Sequence, residues 1–146
     1  MKILILSPGK FKHQFIAKGV EFYISRINFY ANIQVEFFKV KKEDKNLENK
    51  ELNKRIKKYE GWFKILLDEK GKQYNSIEFS KLFLTHKKIL FVIGGAYGVD
   101  TKIKNSVDTI ISLSLLTFPH ELARLILIEQ IYRSFQILHS TPYHKV

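Results

Sequence analysis

Two kinds of apolar spacing alternate along the chain. Short apolar runs at Lys2–Ser7 (KILILS), Ile33–Val40 (IQVEFFKV), Trp62–Asp68 (WFKILLD) and Ile89–Ile93 (ILFVI) have the length and content of buried strands. Between the first two, Phe15, Ile16, Val20, Tyr23, Ile24 and Ile27 recur at helical spacing, which predicts a helix over Phe11–Ile27. Pro8-Gly9 marks the turn that separates it from the first strand. Lys41–Tyr59 is highly charged, with only Leu47, Leu52, Ile56 and Tyr59 as an apolar stripe, and reads as a loop followed by a solvated helix. EKGKQYNS after Asp68 reads as a polar, glycine-bearing loop, and Ser76–Leu84 as a short helix that packs Ile77, Phe79, Leu82 and Phe83. Asp100–Val107 is a second short helix. Asp108–Phe118 holds one more short strand and a loop, and a last helix runs from about Pro119 to Leu138.

Strand and helix patterns that alternate in this way predict an α/β layer structure, with a mostly parallel sheet and helices on both faces. No linker, repeat or low-complexity block interrupts the pattern, so residues 1–146 are expected to form one domain. The last helix is apolar on most sides, through Leu122, Leu125, Ile126, Leu127, Ile128, Ile131, Tyr132, Phe135 and Leu138. A helix apolar on most faces needs cover on most faces, and in a chain this short a second copy is the natural cover, so a homodimer is expected. Pro119 suits the first helical position, with Thr117 upstream as its cap.

Charge changes the picture from fold to partner. Lys and Arg number 25 against 14 acidic residues, a formal net charge of +11. AT-rich coding raises Lys, but it raises Glu and Asn as well, so it does not by itself produce such a surplus. A polyanion, foremost nucleic acid, is the expected partner. The absence of cysteine removes disulfides and thiolate chemistry, and fits a cytoplasmic protein. The apolar run at the start is too short for a membrane span or a signal segment, so no membrane association is expected.

Chemistry concentrates in three places. FVIGGAYGVD carries a buried strand into Gly94, Gly95 and Gly98, at the kind of strand end where open α/β sheets bind ligands. It matches neither GxGxxG nor GxxxxGK[ST], and a plain tight turn is the alternative. SLSLLTFPHE (Ser112–Glu121) mixes apolar residues with hydroxyls and can line a pocket while offering backbone groups. Of the five histidines, His120 and His144 are the site candidates, whereas His13, His86 and His139 read as surface or helix-end residues. Nothing has metal-ligand spacing, so no metal is expected, and no GxSxG supports acyl transfer.

These segments taken together resemble the ribosomal RNA large subunit methyltransferase H family of SPOUT-class enzymes. The resemblance rests on VIGGAYGVD, on SLSLLTFPHELARLILIEQIYRSFQILHSTPYH and on the opening KILILSPGK. It implies a trefoil-knotted C-terminal part, a homodimer and S-adenosylmethionine as methyl donor. It also implies N3-methylation of a pseudouridine in the helix 69 stem-loop of 23S rRNA, on the assembled ribosome. Family positions that contact the donor match Leu67, Gly95 and the loop Ser114, Leu115, Leu116, Thr117, Phe118 and Pro119. Tail positions matching Tyr143 and His144 lie near the methyl acceptor, His144 as a candidate base and Tyr143 as a stacking or orienting group. Arg124 and Arg133 are expected to pair with the tail or with phosphate, or to be structural. Lys145 and the basic Lys39–Lys72 region are expected to meet RNA phosphates.

The chain departs from the family pattern twice. Thr141 stands where a histidine is common before the tail proline, and KKEDKN replaces a glycine-bearing basic loop. A non-catalytic ribosome- or RNA-binding module with the same fold is the alternative function.

Overall fold

The structure is a computed structural model that describes residues 1–145. Five strands and six helices alternate: β1 (Lys2–Pro8), α1 (Gln14–Ile27), β2 (Asn32–Phe38), α2 (Lys45–Ile56), β3 (Phe63–Gln73), α3 (Ser76–Ser80), α4 (Leu82–Thr85), β4 (Lys88–Ile93), α5 (Thr101–Lys104), β5 (Thr109–Ser112) and α6 (His120–Leu138). The strands form one sheet in the order β2-β1-β4-β3-β5, with every pairing parallel. The expected α/β layer architecture is therefore present.

Strand period explains the two layers. Successive side chains in a strand point to opposite faces. Ile3 and Ile5 of β1, Ile65 of β3, and Ile89, Phe91 and Ile93 of β4 join one core with Ile16, Val20 and Ile27 of α1 and Leu127, Ile128, Ile131 and Phe135 of α6. The even-numbered neighbours Leu4, Leu6, Leu66, Leu90 and Val92 join a second core with Leu52 and Ile56 of α2 and Ile103 of α5. Unbroken apolar runs are what a parallel sheet covered on both sides requires.

Local polar groups set the helix starts. Asp44 accepts hydrogen bonds from the amides of Asn46 and Leu47 at the start of α2, and Asn75 with Glu78 forms a reciprocal capping box on α3. At α6 the expectation differs from the structure. Pro119 occupies the capping position itself, no side chain caps the helix, and Thr117 does not play that part.

The largest departure concerns β3. The segment expected to be a loop after Asp68 returns to the sheet and pairs through Gln73. Ile111 of β5 is the register partner of both Leu67 and Lys72, so the intervening residues bulge out and come back. A Cβ added at Gly71 would lie 2.7 Å from backbone atoms of Ile110 and Ile111. Only glycine lets the returning segment pass that close to β5. The polar side chains of this stretch read as a loop, whereas its backbone pairing depends on a strand nearly forty positions later.

Candidate functional site

The carboxyl ends of β3, β4 and β5 surround a cavity of about 400 Å³. Its walls come from the β3 bulge (Leu67–Lys70), the turn after β4 (Gly94, Gly95, Gly98 and Val99), the loop after β5 (Leu113, Ser114, Leu116 and Phe118) and the first turn of α6 (His120 and Ala123). The size suits a nucleoside-scale ligand, and the mixture of apolar walls with a few polar groups is typical of such sites.

Each wall is pinned by identifiable bonds. The turn after β4 closes through the Gly98 amide to the Gly95 carbonyl at 3.0 Å, with Gly98 at φ 76°. Buried Asn49 of α2 holds it from behind by accepting from the Asp100 amide at 2.8 Å, and Asp100 in turn caps α5. After β5, the Ser112 hydroxyl donates to the Ser114 carbonyl at 2.8 Å, and the Leu116 amide donates to the Ser114 hydroxyl at 3.0 Å. The Leu116 amide is thus already engaged, and Ser114 acts as the loop's internal brace.

The sequence-derived donor residues divide in two. Leu67, Gly95, Ser114, Leu116 and Phe118 line the cavity, while Leu115, Thr117 and Pro119 do not. Leu115 instead stands 82% exposed, pointing away into solvent. Asp68, Glu69 and Ala123, which the sequence did not single out, do line it. Asp68 lies 3.7 Å from the Lys104 ammonium.

A second cavity of about 220 Å³ opens beside the first, between Pro8–Lys12, Lys39, Val40, Glu43, Glu48 and Gly95–Tyr97. It lies where the strand order turns back between β1 and β4, the position at which open parallel sheets receive ligands. Gly95 and His120 border both cavities. Burial and the neighbouring Arg124 charge lower the His120 pKa; Glu121 opposes them and Lys12 adds to them, leaving the imidazole neutral at pH 7. Burial and the nearby Glu43 raise the Glu48 pKa.

Arg124 is fully buried. It donates to the Ser7 hydroxyl and to the Pro8 and Gly9 carbonyls, and packs its guanidinium 4.2 Å from the Phe37 ring centre. Burial lowers its pKa to about 10, still charged at neutral pH. The arginine thus holds the end of β1 and makes no bond to the tail among the described residues. One atom, Nη1, is buried without a hydrogen-bond partner among the described residues. One turn earlier, buried Glu121 accepts from the Lys12 amide and from His13 Nδ1, the latter at 2.7 Å, and ties the β1–α1 loop to α6. The only sequence signal for both was a charged residue on an otherwise apolar helix.

The tail folds back on α6. Ser140 adopts φ 54°, and the Ser140 and Thr141 amides bond to the carbonyls of Ile137 and Gln136, the pattern of a Schellman stop. Thr141 also donates its hydroxyl to the Gln136 side chain at 2.7 Å. Tyr143 donates to Glu129 at 2.9 Å, and the Arg133 guanidinium lies 4.8 Å from the Tyr143 ring centre. Burial, with the Tyr23 hydroxyl and the Glu129 carboxylate, pushes the Tyr143 phenol well above its ordinary pKa, so it remains a hydrogen-bond donor. Arg133 also bonds to His144 Nδ1 at 3.2 Å. Arginine can only donate, so Nδ1 accepts and the neutral ring carries its proton on Nε2. Arg133 does pair with the tail, whereas Tyr143 and His144 lie outside both cavities of their own chain. Along α6, His120 and Glu129 are nine residues apart, about 13 Å at helical rise.

Residues 1–144 match the family described as predicted SPOUT methyltransferase. The chain is 42% identical to the ribosomal RNA large subunit methyltransferase H of Dictyoglomus thermophilum, over 99% of both chains. The chain belongs to this family. It is also 35% identical to the Acetivibrio thermocellus protein of the same name, over 99% of the chain and 100% of the relative. Among solved structures, it superposes on the tRNA (m1G37) methyltransferase of Aquifex aeolicus with TM-score 0.66 and 17% identity, covering 100% of this chain and 76% of that one. A putative RNA methyltransferase from Bacillus anthracis gives 0.55 at 10% identity, covering 100% and 99%. The large subunit methyltransferase H family is thus a family of methyltransferases on the fold described above, and the resemblance read from the sequence holds.

Proposed function

We propose that this enzyme transfers a methyl group from S-adenosylmethionine to N3 of a pseudouridine in large-subunit rRNA, the helix 69 stem-loop, as a homodimer acting on the assembled ribosome. The observation that carries the reading is the cavity at the ends of β3, β4 and β5, on a chain 42% identical throughout to a ribosomal RNA large subunit methyltransferase H. The cavity fits the donor in size and chemistry. Leu67, Ile93, Val99 and Leu116 offer apolar walls to an adenine, and Asp68 and Glu69 offer carboxylates to ribose hydroxyls or to positive charge.

When bound, the donor supplies an electrophilic methyl carbon on a sulfonium. The protein's task is then to align the acceptor and to take its N3 proton. His120, neutral and at the border of the two cavities, is the group of the same chain suited to accept that proton. His144 presents an Nε2 proton and Tyr143 a phenol, so both suit donation to, or stacking on, the acceptor base. Because their partners Glu129 and Arg133 lie about 13 and about 20 Å along α6 from His120, a site using all three takes the tail from a second copy. Exposed Phe15 and Phe22 on α1, with Leu115 and Leu116 on the donor loop, supply apolar surface for that partner. The knotted threading implied by the resemblance belongs to the same proposal.

Donor binding is tested by thermal unfolding. S-adenosylmethionine should raise Tm, because a ligand of the folded state stabilises it. Mass analysis of rRNA from a deletion strain should then lack one methyl group on a pseudouridine. A chain that binds rRNA but shows neither effect would be the non-catalytic RNA-binding module instead.

A further inference from the structure

Both cavities of the proposed site lie at the carboxyl ends of the strands. The opposite end carries a separate cluster of charge. Lys2 and Lys88 are register partners on β1 and β4, the Lys2 amide bonds to the Lys87 carbonyl at 2.9 Å, and Lys64 enters from β3. Lys64, Lys87 and Lys88 border one open depression of about 630 Å³, with Trp62, Phe63, Thr85 and His86 completing its rim. Among the described residues none of the four lysines has an acidic side chain within salt-bridge distance. The one carboxylate on the rim, Asp108, accepts a hydrogen bond from the Lys64 amide at 2.7 Å, and against it stand the three rim lysines, which leave the rim net positive.

The depression is also aromatic. His86 lies flat on Phe63 with ring centres 3.6 Å apart and planes 5° from parallel. Trp62 is half-buried, edge-on to Tyr59. A helix C-terminus attracts cations, and α4 ends nearby at Thr85, but one short helix does not account for four unpaired lysines. Concentrated positive charge beside stacked rings is the chemistry that receives a nucleic-acid backbone, phosphates on the ammonium groups and a base or ribose on the aromatic rim.

We infer that the amino edge of the sheet, Lys2, Lys64, Lys87 and Lys88 with the His86–Phe63 stack, is a second RNA-docking surface that holds the phosphate backbone at a distance from the methyl-transfer site. This rests on the rRNA reading above and adds to it a sequence-independent anchor on the opposite edge of the sheet. Phosphate contacts of this kind position a protein without reading bases, and their affinity falls as salt rises.

The test compares the full-length enzyme with Lys87→Ala/Lys88→Ala and Lys87→Glu/Lys88→Glu variants, and with a charge-matched control, Lys81→Ala/Lys102→Ala. Affinity is measured over a salt series for intact large ribosomal subunits and, separately, for protein-free large-subunit rRNA. The alanine pair should weaken both by about tenfold and lower the salt slope by about 2, the control pair far less, and the Glu pair should be weaker still. Lys87→Arg/Lys88→Arg should restore binding. The Tm of each variant, with and without S-adenosylmethionine, should match wild type, which separates lost docking from lost folding. Unchanged affinity and slope for the alanine pair would overturn the inference. So would a loss confined to intact subunits, which would assign the patch to an acidic protein surface. If wild type binds RNA but methylates none, the functional reading fails while the affinity comparison still decides the patch.

Discussion

Arg124 Nε and Nη2 both reach the Ser7 hydroxyl, at 3.2 and 3.0 Å, joining the carboxyl end of β1, the first strand, to the second turn of α6, the last helix. The bonds span 117 positions in sequence. They hold Pro8 and Gly9 against His120: a Cβ at Gly9 would stand 3.5 Å from His120 Nε2. Replacing Arg124 by Leu or Ala strands the Ser7 hydroxyl and two carbonyls in the core and should cost about 3–5 kcal/mol in denaturant unfolding. Lysine should not rescue it, since one ammonium cannot reproduce the fork.

Two glycines separate backbone contact from side-chain contact. A Cβ at Gly71 meets the backbone of Ile110 and Ile111 at 2.7 Å, so Gly71→Ala should destabilise by about 2 kcal/mol and loosen β5. A Cβ at Gly95 meets the Glu48 carboxylate at 2.8 Å, the flexible end of a side chain that can swing away, and the Pro8 ring at 3.1 Å, which has to give slightly. Gly95→Ala should therefore lower Tm less than Gly71→Ala and show itself as weaker donor binding by calorimetry.

The Schellman stop at the end of α6 uses Ser140 where glycine is the unstrained residue. Ser140→Gly should raise stability by up to about 1 kcal/mol, read from the urea midpoint. Thr141→Ala should act in the opposite direction on the tail by removing the bond to Gln136, seen as faster amide exchange at residues 141–144.

Deleting residues 141–146 should leave the donor-induced Tm shift in place and abolish methylation. Mixing that truncated chain with a Leu67→Arg chain, whose donor cavity is filled, should restore activity if the tail serves the partner's site. No activity in the mixture, with heterodimer present, would exclude the exchange.

Acid should weaken the fold in two stages. Folded His120 has a lowered pKa, so the unfolded chain binds its proton more readily. The His120 contribution is complete above the ordinary histidine value of about 6.5 and declines as pH falls through the folded value. Burial pushes the Glu121 pKa up, but the hydrogen bonds from His13 and the Lys12 amide, with the His13 charge, bring it below the ordinary carboxylate value. Glu121 therefore contributes fully above about 4.5, and that contribution is lost at lower pH. Tm measured from pH 8 to 3 should fall in both windows, with His120→Gln flattening the upper and Glu121→Gln the lower.

Much of the fold was legible because burial on both faces of a parallel sheet writes unbroken apolar runs, and α1 and α6 write helical spacing. The turn after β4 was legible in Gly94, Gly95 and Gly98, and the loop before α6 in its hydroxyls. The return of β3 through Gly71 was not, since nothing in EKGKQ announces a partner in β5. The roles of Arg124 and Glu121 were not legible either, because a charged residue on an apolar helix carries no sign of which distant backbone it serves.

The sequence by itself determined the alternating α/β layers, the basic surface and the family, all of which depend on local spacing, composition and motif. Only the tertiary structure decided that Leu115 faces solvent while Asp68 and Glu69 face the cavity, that Arg124 bonds to the end of β1 rather than to the tail, and that Tyr143 and His144 lie away from their own chain's cavities. Those outcomes depend on which segments meet across a hundred positions, and contact at that range is set by packing, which no local pattern records.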